Sequence, residues 1–380
     1  MEQFQKKIYK IGIGIFISIL CIGLIIGSMT FLRPTISEIE NRKLATFPKF
    51  TMSSFLSGEY FSQISLWYSD TFPFREQAIQ LSQRFQSLYG IITEEKVIEH
   101  VKPQENGTLA EEIQHQVFKK LHYKDGKVYQ EYDWNLNAAN AYIQVINRAS
   151  QQLKETKIYS MLIPTSDLSQ NSEYYDDNFD SVVSVPVFQV LKEHQDEYIY
   201  FHTDHHWTAL GAYYAYEAFC DLKGMKAHSL SDYEKIRVDS FVGSYRSQFP
   251  ELKEFPDFID AYVPLSTNVW KDKSGRSYPI VKERSGYSTF MAGDVPYLEI
   301  ENPKIQDGGS CLILKESYAN SLIPFLVDHY ERVYVLDFRY TNENVVDFCQ
   351  QHSIDDLLIV NSLQIIANEK IVEKYESILE

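Results

Sequence analysis

Ser317 follows the apolar run Ser310-Cys311-Leu312-Ile313-Leu314, after Lys315-Glu316, at the point where a helical pattern begins. A serine at such a strand-to-helix corner is lifted out of the sheet, and its hydroxyl becomes a nucleophile once a base takes its proton. A base and an acid stand at Asp204-His205-His206, past the aromatic and β-branched run 197–202. On extended backbone, residues two apart share a face, so Asp204 can orient the His206 imidazole while His205 faces away. Ser317, His206 and Asp204 are thus candidates for nucleophile, base and orienting acid. Plainer readings make Ser317 the cap of its helix and Asp204 the cap of a helix over 207–222.

His202, Asp204, His205 and His206 also carry the side chains that zinc prefers. Residues this close in sequence cannot all converge on one ion. No second cluster completes a ligand set, so no metal is expected. No cofactor is expected either, because the chain has neither a glycine-rich phosphate loop nor a coenzyme A signature.

Further strings add to these: Glu40-Asn41-Arg42-Lys43-Leu44 with Phe47-Pro48, then Tyr68-Ser69-Asp70-Thr71-Phe72-Pro73-Phe74-Arg75, and Asp337-Phe338-Arg339-Tyr340. With the two central motifs, they resemble the DHHW proteins over residues 36–380. These proteins belong with the SGNH-hydrolase-like O-acyltransferases of alginate acetylation. The resemblance implies an Asp204, His206 and Ser317 triad on an SGNH-like sheet. One departure is plain: the usual Gly-Asp-Ser corner reads Lys315-Glu316-Ser317, without the small residue that eases a tight turn.

For the oxyanion of an acyl-transfer intermediate, the expected donors are the backbone N–H of Tyr318 and the side chain of Asn320. Arg339, Tyr340 and Trp207 are substrate-binding candidates, although Arg339 suits a structural ion pair equally well. The resemblance implies transfer of an O-acyl group, most simply acetyl, onto a cell-surface or exported polysaccharide. It also implies a multipass membrane O-acyltransferase that delivers the acyl group. Two other functions stay open: an inactive scaffold that binds glycan or that membrane partner, and a carbohydrate O-acetylesterase.

The elements that must position these residues follow from the patterning. Apolar runs alternate with helical stretches from residue 135 onward, which predicts an α/β fold with a parallel sheet flanked by helices. Within it, residues 228–305 lose the alternation and read as a β-rich cap insert. Tyr123 to Tyr129 reads as a hairpin about Asp125-Gly126. Residues 11–32 are uncharged and apolar, long enough for a transmembrane anchor, with Lys6, Lys7 and Lys10 favouring a cytoplasmic tail over 1–10. Residues 33–92 then form a juxtamembrane helical region, and 93–380 an SGNH-like catalytic domain outside the cytoplasm.

At 380 residues with net charge −16, the chain is large enough for a sizeable core and too acidic to favour nucleic acid. Its first 32 residues carry three Lys and one Glu, so the remainder is more acidic still. Cys220, Cys311 and Cys349 are widely spaced and imply no disulfide framework.

Overall fold

The computed structural model describes residues 14, 17, 18, 27, 33, 34, 36, 37, 42, 43, 45–74, 95–99, 108–168 and 172–380. The chain divides into two units, 1–93 and 94–380. Most of residues 11–32, together with Arg75, Asn106 and Gly107, lies outside the described residues. Among those described, no helix is long and apolar enough to cross a membrane.

In the first unit, β1 (Ile36–Ser37) pairs antiparallel with β2 (Arg42–Lys43). Thr51 caps the helix Met52–Leu56 by accepting the Ser54 N–H, and Gly58, at φ 80°, allows the chain to turn directly into the helix Glu59–Asp70. The Arg33 guanidinium lies over the rings of Trp67 and Tyr68 and donates to Thr71 Oγ1 at 2.7 Å. Phe47 meets Trp67 edge-on, so segments far apart in sequence share one aromatic cluster.

The second unit opens with a small antiparallel sheet of β3 (Glu95–Glu99), β4 (Lys120–Lys124) and β5 (Lys127–Gln130). Asp125 at φ 52° and Gly126 at φ 79° join its last two strands, the left-handed pair that an Asp-Gly hairpin requires. Next come β6 (Lys157–Ile163), β7 (Val182–Ser184), β8 (Glu234–Phe241), β9 (Asp257–Val263), β10 (Val269–Lys271), β11 (Ser277–Pro279), β12 (Tyr297–Glu301), β13 (Ser310–Lys315), β14 (Arg332–Asp337) and β15 (Asp356–Ser362).

The main sheet has the order β11-β10-β12-β14-β13-β15-β6-β7, and its last five members are parallel. Strands such as β13 and β15 are apolar at nearly every position because both faces are covered. Ile313, Val335, Leu358 and Met161 face the helices Val187–Glu193 and Ala209–Lys223. Leu312, Leu336, Ile359 and Leu162 face the helices Leu136–Gln152, Val345–Gln351 and Glu369–Leu379.

The insert departs from its expected form. It is strand-rich, but only β8 and β9 form a separate hairpin, whereas β12 joins the sheet antiparallel to β14 and carries β10 and β11 outward. The reason is legible in β12 itself: Leu298 and Ile300 are buried opposite Val335 and Val333, and the glutamates between and after them point outward.

Candidate active site

Ser317 lies immediately beyond β13, at the carboxyl end of the parallel sheet, where sites of such folds gather. The Lys315-Glu316-Ser317 corner needs no glycine: Glu316 has φ −117° and ψ −169°, extended backbone open to any residue. Glu316 also caps the 3-10 turn Ser317–Ser321, so the serine is not the cap. The continuous helix expected after Ser317 is broken into Ser317–Ser321, Ile323–Leu326 and Val327–His329. Pro324 accounts for the break, since it has no N–H to return to Asn320.

The acid and base come from a tight loop and not from a strand. Tyr200 bridges antiparallel to Trp207, and the Phe201 N–H donates to the His206 carbonyl at 3.2 Å, so the run 197–202 folds back at once. Asp257, at the start of β9, anchors the loop by accepting from Thr203 N at 2.7 Å, Thr203 Oγ1 at 2.6 Å and the Tyr198 hydroxyl at 2.6 Å. Asp204 Oδ1 then accepts the His206 N–H at 3.0 Å, a side-chain turn that brings the two residues to one side. His205 does not face away as strand alternation predicts: its ring centroid is 3.8 Å from that of His206, and its Nδ1 pairs with Ser244 Oγ at 2.8 Å. The following helix begins at Ala209 with Thr208 as its cap, so Asp204 is free of that duty.

These elements bring the three residues together. His206 Nδ1 lies 2.6 Å from Asp204 Oδ1, and His206 Nε2 lies 2.8 Å from Ser317 Oγ. An ionised carboxylate only accepts, so Nδ1 carries the proton and Nε2 faces the serine as the acceptor. Asp204 Oδ2 accepts from the Ser244 N–H at 2.7 Å, and Tyr287 stacks on the His206 ring at 4.0 Å and 9°. Asp204, His206 and Ser317 are only 6%, 5% and 8% exposed, which keeps water from weakening these contacts.

Burial works against the Asp204 charge, but the neighbouring His206 and His205 and the hydrogen bonds it accepts outweigh that cost. Its carboxyl titrates well below the usual range. Burial, reinforced by His206, pushes His205 down to about 3. A carboxylate and two imidazoles thus lie within 4.8 Å of one another. Their inward atoms already bond each other and Ser244.

The remaining candidates divide. Trp207 is fully buried and donates Nε1–H to the Tyr318 carbonyl at 2.8 Å, which makes it a support for the corner and removes it from any substrate face. The Tyr318 N–H donates to Glu316 Oε2 at 3.3 Å. Asn320 accepts from Lys315 Nζ at 2.9 Å and donates to Asp294 at 3.0 Å. Arg339 grips Asp337 with Nε at 2.8 Å and a second nitrogen at 2.6 Å, and it also reaches Asp294, so it is a structural ion-pair partner in this structure. Burial opposes its charge, yet the bonds and charge of Asp337 hold it above its ordinary value. Tyr340, 55% exposed, presents a ring to solvent.

Residue types and spacing assigned no role to Glu316, Gly243, Ser244, Tyr287, Asp257 or Asp294. Gly243-Ser244 and Gly286-Tyr287 lie in an insert whose path over the site only the fold defines.

Comparison with known proteins agrees with this architecture. A crystal structure of a DHHW family protein from Eubacterium siraeum DSM 15702 is 28% identical, with 67% of this chain and 94% of that chain covered and a TM-score of 0.59. PatB1 of Bacillus cereus, solved with a sulfonyl adduct, is 21% identical over 66% of this chain and 98% of its own, with a TM-score of 0.55. No curated protein sequence matches the chain. The family model for DHHW proteins matches residues 40–105 and 173–336, which include Asp204, His206 and Ser317, and the chain belongs to the DHHW family.

Proposed function

We propose that this protein is an O-acyltransferase, acting with acetyl groups on a cell-surface or exported polysaccharide through an acyl-serine intermediate. The observation that carries the reading is the unbroken line from Asp204 through His206 to Ser317, at 2.6 Å and 2.8 Å. His206 Nε2 takes the Ser317 proton as Oγ bonds to the acyl carbon, and then passes it to the departing oxygen as the old ester bond breaks. An acceptor hydroxyl reverses the sequence, releasing Ser317 and leaving the acyl group on the sugar. The sulfonyl adduct of PatB1 suits a fold that carries an activated nucleophile.

In this reading the sheet is of the SGNH-like class, the β8 and β9 hairpin with its loops forms the cap, and residues 11–32 anchor the catalytic domain outside the cytoplasm. The acyl group arrives from a multipass membrane O-acyltransferase. A second reading, an inactive scaffold that binds glycan or that partner, is favoured by one observation: both expected oxyanion donors are already engaged, Tyr318 by Glu316 and Asn320 by Asp294.

A chromogenic acetate ester distinguishes the two. Turnover by the wild type that Ser317→Ala abolishes, with an unchanged melting curve, supports the enzyme, and no turnover in either protein supports the scaffold. Acetyl transfer to added oligosaccharides, as against hydrolysis alone, distinguishes a transferase from an esterase.

A further inference from the structure

Ser317 Oγ has two acceptors within reach and one proton to give. His206 Nε2 lies at 2.8 Å and Glu316 Oε2 at 3.1 Å. The same Oε2 receives the Tyr318 N–H at 3.3 Å, while Oε1 receives the Ser362 N–H at 3.0 Å. Glu316 is fully buried, so both oxygens are committed to the corner.

An oxyanion donor must point at the place where the acyl oxygen gathers charge, beside the nucleophile. In this structure the Tyr318 N–H points at a carboxylate oxygen in that place. With Nδ1 of His206 donating to Asp204, the one serine proton can serve Nε2 or Oε2, and whenever it serves Nε2 the Oγ lone pairs face Oε2. Negative charge growing on an attacking Oγ, or on an acyl oxygen beside it, is therefore opposed while the carboxylate stays.

We propose that Glu316 is a built-in occupant of the oxyanion site, a guard that an incoming acyl carbonyl must displace from the Tyr318 N–H. This rests on the acyl-serine reading and adds what the resting site holds. Oε1 keeps its bond to Ser362 as Oε2 swings away, so the corner holds its shape. A guarded serine still turns over small activated esters, but more slowly than an unguarded one, because they lack the remote contacts that offset the displacement. The guard thereby favours a docked acyl donor over adventitious ones.

The test uses full-length protein and phenylmethanesulfonyl fluoride, with Ser317 labelling followed by intact mass spectrometry. In that reaction the Oγ–S bond forms, the S–F bond breaks, fluoride leaves, and the serine proton passes to His206. A sulfonyl oxygen must take the guarded position, so Glu316→Gln and Glu316→Ala are expected to label at least about ten-fold faster than wild type. Melting curves establish that the variants are folded. Should Glu316→Ala unfold, Glu316→Gln decides, because its amide oxygen still accepts from Ser362. Labelling of folded variants at or below the wild-type rate overturns the guard. Labelling of Ser317→Ala at the wild-type rate overturns the nucleophile assignment itself, a different failure.

Discussion

Gly243 gives Asp204 the space it occupies: a Cβ on Gly243 would stand 2.2 Å from the Asp204 Cβ and 2.5 Å from its Oδ2. The backbone of Gly243 is ordinary, at φ −81°, so closeness alone requires the glycine. Gly243→Ala must push Asp204 off His206 without straining its own turn. A displacement near 1 Å costs about 10²-fold in rate. Ester turnover of that variant is expected to fall by this order while its far-ultraviolet spectrum is preserved, and a variant within twofold of wild type would remove Asp204 from the orienting role.

The two histidines separate by role. His206→Ala removes the acceptor facing Ser317 and is expected to cost about 10² to 10⁴ in rate. His205→Ala removes a neighbour bonded to Ser244 and leaves the path from Asp204 to Ser317 intact, so its loss should stay below about tenfold, a small fraction of the general-base contribution. Equal damage from the two, with activity restored by added zinc, would replace the triad with a metal centre.

Stability should decline in mild acid for a stated reason. His205 titrates at about 3, through burial and then His206, and His329 at about 4, through burial and then His228. Unfolded, each has a value near 6.5. Their contribution is complete above about pH 6.5 and is lost as pH falls toward the folded values, because the unfolded chain binds protons that the native state refuses. Each histidine adds at most about 1.4 kcal/mol per pH unit. Urea unfolding between pH 7.5 and 4.5 should show this slope, and His205→Gln and His329→Gln should each flatten it. A slope unchanged in both variants would assign the acid sensitivity elsewhere.

Lys315 is the cation at the base of the corner, buried with Asp337 at 2.9 Å, Asp294 at 3.1 Å and Asn320 at 2.9 Å. Burial works against its charge, and the two carboxylates outweigh that effect. Lys315→Met leaves Asp294 and Asp337 to share Arg339 alone, and breaking a buried pair in this way costs about 3–5 kcal/mol. Chemical denaturation measures the loss directly. A change under about 1 kcal/mol would mean that Arg339 by itself neutralises both acids.

The sequence by itself determined the layered α/β core. Runs such as β13 and β15 are apolar at every second position on both faces, and a strand of that kind has to lie between two layers of helices. It also determined the Asp125-Gly126 hairpin, because turn chemistry is a local property, and it offered Ser317, His206 and Asp204 as residues of the right chemistry in the order the resemblance implies. Local pattern misled where the chain bends. Asp204 and His206 share a side through a side-chain turn anchored by Asp257, about fifty positions away, and His205 turns inward with them. Only the tertiary structure decided which groups surround the serine: Glu316 on its hydroxyl, Tyr287 on the base, Gly243 and Ser244 against the acid, and the Lys315, Asp294, Asp337 and Arg339 cluster beneath. Most of those contacts join residues far apart in the sequence, and neither composition nor spacing encodes a distance across a fold.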